Sequence, residues 1–145
     1  MEEGRWKIYW REYCSQTYLY GSEVIFHRQD DVEFQNRLMP LGTVINEWFS
    51  KTDFQGQHVE PALPILDGTC HYHVSIHMDV PEGEHCPVRL LFYDRSGGEA
   101  GRLDIQDKEA DFQCPPTTYY YKMQLVNGGV THFHFHSVVI QEIFS

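Results

Sequence analysis

An all-β fold, a two-sheet antiparallel β-sandwich of jelly-roll type, is predicted on three observations. Apolar and polar residues alternate with a two-residue period along nearly the whole chain, where helices would repeat every three to four residues. Turn chemistry recurs at short intervals, as in Met39-Pro40-Leu41-Gly42, Ser96-Gly97-Gly98 and Asn127-Gly128-Gly129. Aromatic residues reach 14% and join many β-branched ones, the side chains that suit a pleated, half-buried surface.

Taken in order, strands are expected from Trp6 to Trp10, from Tyr18 to Phe26 with an interruption near Gly21, and from Val32 to Phe34. Pro40 fixes φ at the second position of a type I turn and Gly42 fills the fourth, so the next strand is expected to begin at Thr43 and to run through Val44 and Ile45 to Trp48 and Phe49. Thr52 to His58 reads as a polar loop, after which Pro61 and Pro64 keep Glu60 to Ile65 extended.

Cys70, Tyr72, Val74, Ile76 and Met78 then form one face of a strand and His71, His73, Ser75 and His77 the other. Val88 to Tyr93 is paired with Arg102 to Ile105 through Ser96-Gly97-Gly98. Tyr119, Tyr121, Met123 and Leu125 oppose Tyr120, Lys122 and Gln124. Asn127-Gly128 offers the positive φ of a tight hairpin, which would join this strand to Thr131 to Ile143.

At 145 residues and 17.1 kDa the chain fits one domain, residues 1–145, large enough for a real core. Eleven basic residues against 21 acidic ones give a net charge of −10, which repels nucleic acid and anionic membrane surfaces. No apolar run approaches the roughly 18 residues that span a bilayer, so direct membrane insertion is not expected and any peripheral membrane association would come through partners. The opening Met1-Glu2-Glu3 is acidic where an export signal is basic, and Cys14, Cys70, Cys86 and Cys114 are widely spaced. A reducing cytoplasmic location is the expectation.

Two histidine runs invite a metal reading. His71 and His73, like His132, His134 and His136, alternate with apolar residues, so each run shares a strand face with same-face Cα atoms about 6.7 Å apart. Zinc accepts imidazole nitrogens, and if the two strands are neighbours the five histidines form one patch, as a metal-dependent cupin-like β-barrel enzyme would need. Against this, no acidic residue lies three or four positions beyond His73, and His77 lies about 20 Å from His71 along an extended strand. The expectation is therefore a solvated strand face, with no cofactor and no tightly held metal.

Other catalytic patterns are lacking. No serine lies in G-x-S-x-G, Ser96 to Gly101 has no Lys-Ser/Thr to cradle phosphate, and Asp30-Asp31 and Glu82/Glu84 read as solvated loop carboxylates. Among the aromatics, Trp48 with Lys51 and Asp53 nearby, and Trp10, are the candidate exposed platform for a sugar, although packing between the sheets is the commoner fate of a tryptophan.

The segment from Phe34 to Leu66, with Met39-Pro40, Gly42-Thr43-Val44-Ile45, Trp48, Ser50-Lys51 and Pro61-Ala62-Leu63-Pro64, resembles the third accessory secretory protein family of the bacterial accessory Sec system. Gln124 to Gly129 is similar to the end of that family's pattern, whereas the histidines 132, 134 and 136 depart from it. The resemblance implies a non-catalytic, carbohydrate-binding-module-like sandwich in a cytosolic complex with glycosyltransferase-like and acetyltransferase-like accessory secretory proteins. That complex would assist glycosylated serine-rich repeat adhesins to the accessory translocase. A free-standing carbohydrate-binding module is the alternative function.

Overall fold

The computed structural model describes residues 4–11, 16–50 and 63–143. Its strands are β1 (Arg5–Ile8), β2 (Gln16–Thr17), β3 (Glu23–Arg28), β4 (Asp31–Gln35), β5 (Val44–Phe49), β6 (His71–Asp79), β7 (Val88–Tyr93), β8 (Glu99–Ile105), β9 (Glu109–Phe112), β10 (Tyr120–Val126) and β11 (His132–Ile143). They form two antiparallel sheets. One has the order β3-β4-β11-β6-β9, with β1 added beside β11, and the other β2-β5-β10-β7-β8. The sandwich inferred from alternation is thus the observed architecture, and among the described residues no helix occurs.

Alternation places the faces as expected, except that Tyr119 precedes its strand and is 46% exposed. Tyr72, Val74, Ile76 and Met78 of β6 are buried, as are Tyr121, Met123 and Leu125 of β10, and they close on one another across the interior. In β11 the inward residues are Phe133 and Phe135 and then Val138 and Ile140, a change of parity at His136. The β6 register shifts between Phe135 and Ser137, so His136 is the extra residue of a bulge. Without it, the period-2 rule would drive Val138 and Ile140 outward.

The thickest part of the core is aromatic. Trp10 packs 6.0 Å from Trp48, 5.9 Å from Phe34 and 6.0 Å from Phe135, centroid to centroid, and Phe34 stacks at 5.2 Å on Phe133. Burial of each such ring contributes about 2–3 kcal/mol, and the offset and edge-on pairings add about 1 kcal/mol.

Two local expectations are corrected, and one strand is added. Asn127-Gly128-Gly129 does not close a hairpin, because β10 belongs to the second sheet and β11 to the first. Only Gly129 of the three has positive φ, whereas a type I′ turn needs two such residues. The segment is a crossover, fastened by Asn127: its backbone N–H donates to Thr43 O at 2.8 Å, and its side chain donates to Pro40 O at 3.0 Å and accepts from Val130 N at 2.9 Å. The turn before β5 lies one residue later than expected, with Thr43 N donating to Pro40 O at 3.2 Å and Gly42 at φ 87° in the third position, the geometry of type II. Finally, β9 escaped the sequence reading because Glu109-Ala110-Asp111-Phe112 offers only Ala110 and Phe112 to the core side of an edge strand. The Ser96-Gly97-Gly98 hairpin is as expected, β7 pairing with β8. Asp94 fastens it by accepting from Ser96 N at 2.9 Å and Gly98 N at 3.0 Å.

Candidate functional site

The side chains with the most chemistry to offer line the outer face of the first sheet. Inward Phe133 and Phe135 oblige His132 and His134 to point outward from β11, and inward Val32 and Phe34 do the same for Asp31 and Glu33 of β4. Antiparallel pairing sets His134 opposite Glu33 and His132 opposite Gln35. The two remaining histidines come from irregularities: the β3–β4 register shifts between Phe26 and Arg28, so His27, like His136, is the extra residue of a bulge. Bulges re-aim side chains, and both here turn an imidazole toward a carboxylate.

A chain of imidazoles and carboxylates results. Glu33 Oε1 lies 2.8 Å from His27 Nε2, and its Oε2 lies 2.7 Å from His132 Nε2 and 3.9 Å from His134 Nε2. His134 Nδ1 lies 2.8 Å from Asp31 Oδ1, while His136 binds Asp79 through Nε2 at 2.8 Å and the Asp30 carbonyl through Nδ1 at 2.7 Å. The rings of His27 and His134 stack at 6.1 Å, and those of His132 and His134 meet edge-on at 5.5 Å.

The electrostatics follow the contacts. Hydrogen bonds from His27 and then His132 hold the Glu33 carboxyl down at about 2. Asp31 is lowered by His134 and Asp79 by His136. His136 is raised, first by Asp79 and then by the Asp30 carbonyl. One ligand atom from each of Glu33, His132 and His134 lies within 4.8 Å of the others, a spacing compatible with a single metal ion.

The structure divides the five histidines of the sequence reading into two groups. β6 and β11 are neighbours, but they run antiparallel and His73 lies opposite Gln141, five residues and about 17 Å beyond His136. His71 lies opposite Ile143, further still. His73 instead meets Asp111 of β9, Nδ1 to Oδ1 at 2.5 Å. A five-histidine centre is therefore corrected to a cluster of His27, His132, His134 and His136 with acids from β4 and β6. Glu33, Asp31, Asp79 and His27 were not among the expected residues. The signal was there, in a strand whose outward positions are Asp31, Glu33 and Gln35, yet 99 residues separate Glu33 from His132.

The aromatic platform is also corrected. Trp48 is fully buried and Trp10 2% exposed, so neither can stack on a sugar. Lys51 and Asp53 lie outside the described residues. Exposed aromatic surface occurs instead on β10 and just before it, where Tyr120 stacks on Tyr93 at 4.9 Å and Tyr119 is 46% exposed. Tyr119 and Tyr120 border a groove of about 320 Å³, together with Ser50, Ile65, Leu66 and Thr118.

Among the described residues a thiol nucleophile finds no support. Burial pushes the Cys86 thiol up to about 12 and Cys114 up to about 11, and a protonated thiol is a poor nucleophile. Glu84 serves the backbone, accepting from Thr131 N at 2.6 Å and Oγ1 at 3.0 Å.

A family model described as accessory Sec secretory system ASP3 matches residues 17–142. An accessory Sec system protein from Streptococcus gordonii, of that same type, is 38% identical over 127 residues, covering 88% of this chain and 80% of its own. A chain in the crystal structure of accessory secretory proteins 1, 2 and 3 from Streptococcus pneumoniae superposes with a TM-score of 0.88 at 27% identity, over 99% of both chains. One from the glycosylation-associated Gap123 complex of Streptococcus agalactiae reaches 0.87 at 28% identity; this chain covers 97% of itself but 45% of that one. A Clostridium thermocellum xylanase chain of CBM22-1 and GH10 modules, complexed with xylohexaose, shares the fold alone, at a TM-score of 0.53 and 15% identity over 90% of this chain and 26% of that one. Among the described residues no helix is long and apolar enough to cross a membrane.

Proposed function

The chain belongs to the accessory Sec secretory system ASP3 family, and from that premise we propose that it is a non-catalytic binding subunit of an accessory Sec complex. It acts in the cytoplasm, bound to accessory secretory proteins 1 and 2, on the way of a glycosylated adhesin to its translocase. The observation that carries this reading is the end-to-end superposition, 99% of both chains, on a chain solved together with accessory secretory proteins. A fold retained over its whole length at 27% identity supports a retained mode of assembly.

The surface offers a place for such an interface. Leu19, Tyr20, Leu38 and Leu41 are 71–77% exposed and lie on the β2–β3 and β4–β5 loops. Asn36 ties the two loops together: its Nδ2 donates to Tyr20 O at 2.8 Å and its Oδ1 accepts from Leu38 N at 2.8 Å. The two tethered loops thus present an apolar tip around Tyr20 and Leu38, with Leu19 and Leu41 exposed on the same loops, and exposed apolar surface of this kind marks interaction sites.

Permanent subunits bury interfaces that often exceed about 2,000 Å², so the chain co-expressed with accessory secretory proteins 1 and 2 should elute with them in size-exclusion chromatography. Elution as a stable monomer at micromolar concentration, beside unbound partners, would overturn the subunit reading. If that monomer also bound a glycan, a free-standing carbohydrate-binding module would replace it, with the Tyr119 and Tyr120 groove as its site.

A further inference from the structure

We propose that Glu33, His132 and His134 form a binding site for a divalent transition-metal ion of the zinc type. The expectation of no tightly held metal rested on the lack of an acidic partner near the histidines in sequence; the fold supplies one from β4.

Ligands at about 2.0–2.1 Å from a tetrahedral zinc stand about 3.3–3.4 Å from one another. Glu33 Oε2 lies 2.7 Å from His132 Nε2 and 3.9 Å from His134 Nε2, so the separations bracket that value and small side-chain rotations suffice. The surrounding contacts are those a metal centre requires. Ligating histidines ordinarily donate their second ring N–H to a carboxylate, which fixes tautomer and orientation. His134 has this arrangement already, Nδ1 to Asp31 Oδ1 at 2.8 Å, which leaves Nε2 turned to the site. The second oxygen of Glu33 is held in the same manner by His27 at 2.8 Å.

Two imidazoles and one carboxylate favour zinc, cobalt, nickel or copper over calcium or magnesium, which prefer all-oxygen shells. The carboxylate offsets one of the two positive charges. The three side chains are 25–40% exposed, so the fourth position faces solvent and is taken by water. The ion would clip β4 to β11, and through His27 brace β3.

The site is independent of the assembly reading, and its test reads metal alone. Untagged full-length chain is dialysed to equilibrium against zinc, and separately titrated with Co²⁺ while the visible d–d absorption is followed. One ion per chain and an intense, tetrahedral-type cobalt spectrum are expected. The His132→Ala/His134→Ala double variant and Glu33→Gln should each lower affinity at least tenfold, and Asp31→Asn about tenfold with the stoichiometry unchanged. His73→Ala should leave binding as it was. The replaced side chains are partly exposed, so the core is untouched. Lack of micromolar binding by the unaltered chain, survival of full binding in the double variant, or its loss in His73→Ala would each overturn the proposal.

Discussion

The indole Nε1 of Trp48 donates to the backbone carbonyl of Tyr9 at 3.0 Å, joining β5 of one sheet to the segment that follows β1 of the other. A fully buried ring that also spans the sandwich has two jobs, filling volume and satisfying a carbonyl. Trp48→Phe should therefore lower stability by about 2 kcal/mol and Trp48→Ala by about 3–5 kcal/mol, read from urea denaturation midpoints at unchanged m-value. Any ligand-binding loss in Trp48→Ala would track the unfolded fraction, as a core residue requires.

Asn127 governs the crossover between the sheets. Its side chain accepts from Gly129 N at 3.0 Å and Val130 N at 2.9 Å and donates to Pro40 O at 3.0 Å, with 4% of its surface exposed. Asn127→Ala strands buried donors and acceptors and should cost about 2–3 kcal/mol by thermal or urea unfolding.

The neighbouring Gly128 is required for space. A Cβ there would lie 2.8 Å from Pro87 Cδ and 3.2 Å from the His85 carbonyl, so Gly128→Ala should destabilise by about 1–3 kcal/mol, while Gly83→Ala, where a Cβ meets open space, pays only for its φ of 85°. A loss below about 0.5 kcal/mol in Gly128→Ala would show that space is not the constraint there.

Asp104 links stability to pH. Arg89 Nε donates to one carboxylate oxygen at 2.8 Å and Arg102 Nε to the other at 3.1 Å, and Arg89 first, then Arg102, hold the carboxyl below the ordinary range. Because the folded pKa lies below the unfolded value of about 3.9, the stabilisation is fully present above that value and lost as pH falls through the folded one. Asp104→Asn should flatten this part of the acid limb in chemical denaturation below about pH 5, and leave the pH dependence above it unchanged. The pair is partly exposed, so added salt should shrink the difference.

The apolar tip separates docking from folding. Leu38→Asp and Leu41→Asp alter side chains 72% and 77% exposed, so stability should change by less than about 0.5 kcal/mol. Retention of accessory secretory proteins 1 and 2 on the column should fall at least tenfold in affinity. Unaltered retention would place the interface elsewhere on the chain.

What the sequence determined by itself was which side of each strand faces inward. Cys70 to Met78 and Tyr121 to Leu125 declared their buried faces through alternation, and even the bulge at His136 is written in the spacing of Phe133 and Phe135 against Val138 and Ile140. The fold class and the family resemblance followed from such local patterns. Which strands lie side by side was decided only by tertiary packing. A two-residue period fixes a face and carries no information about the neighbour, so Asn127-Gly128 read as a hairpin although it crosses between sheets. For the same reason Glu33 could not be assigned to His132, 99 residues away, until the inward packing of Phe34 against Phe133 aligned β4 with β11 and brought carboxylate and imidazole to 2.7 Å.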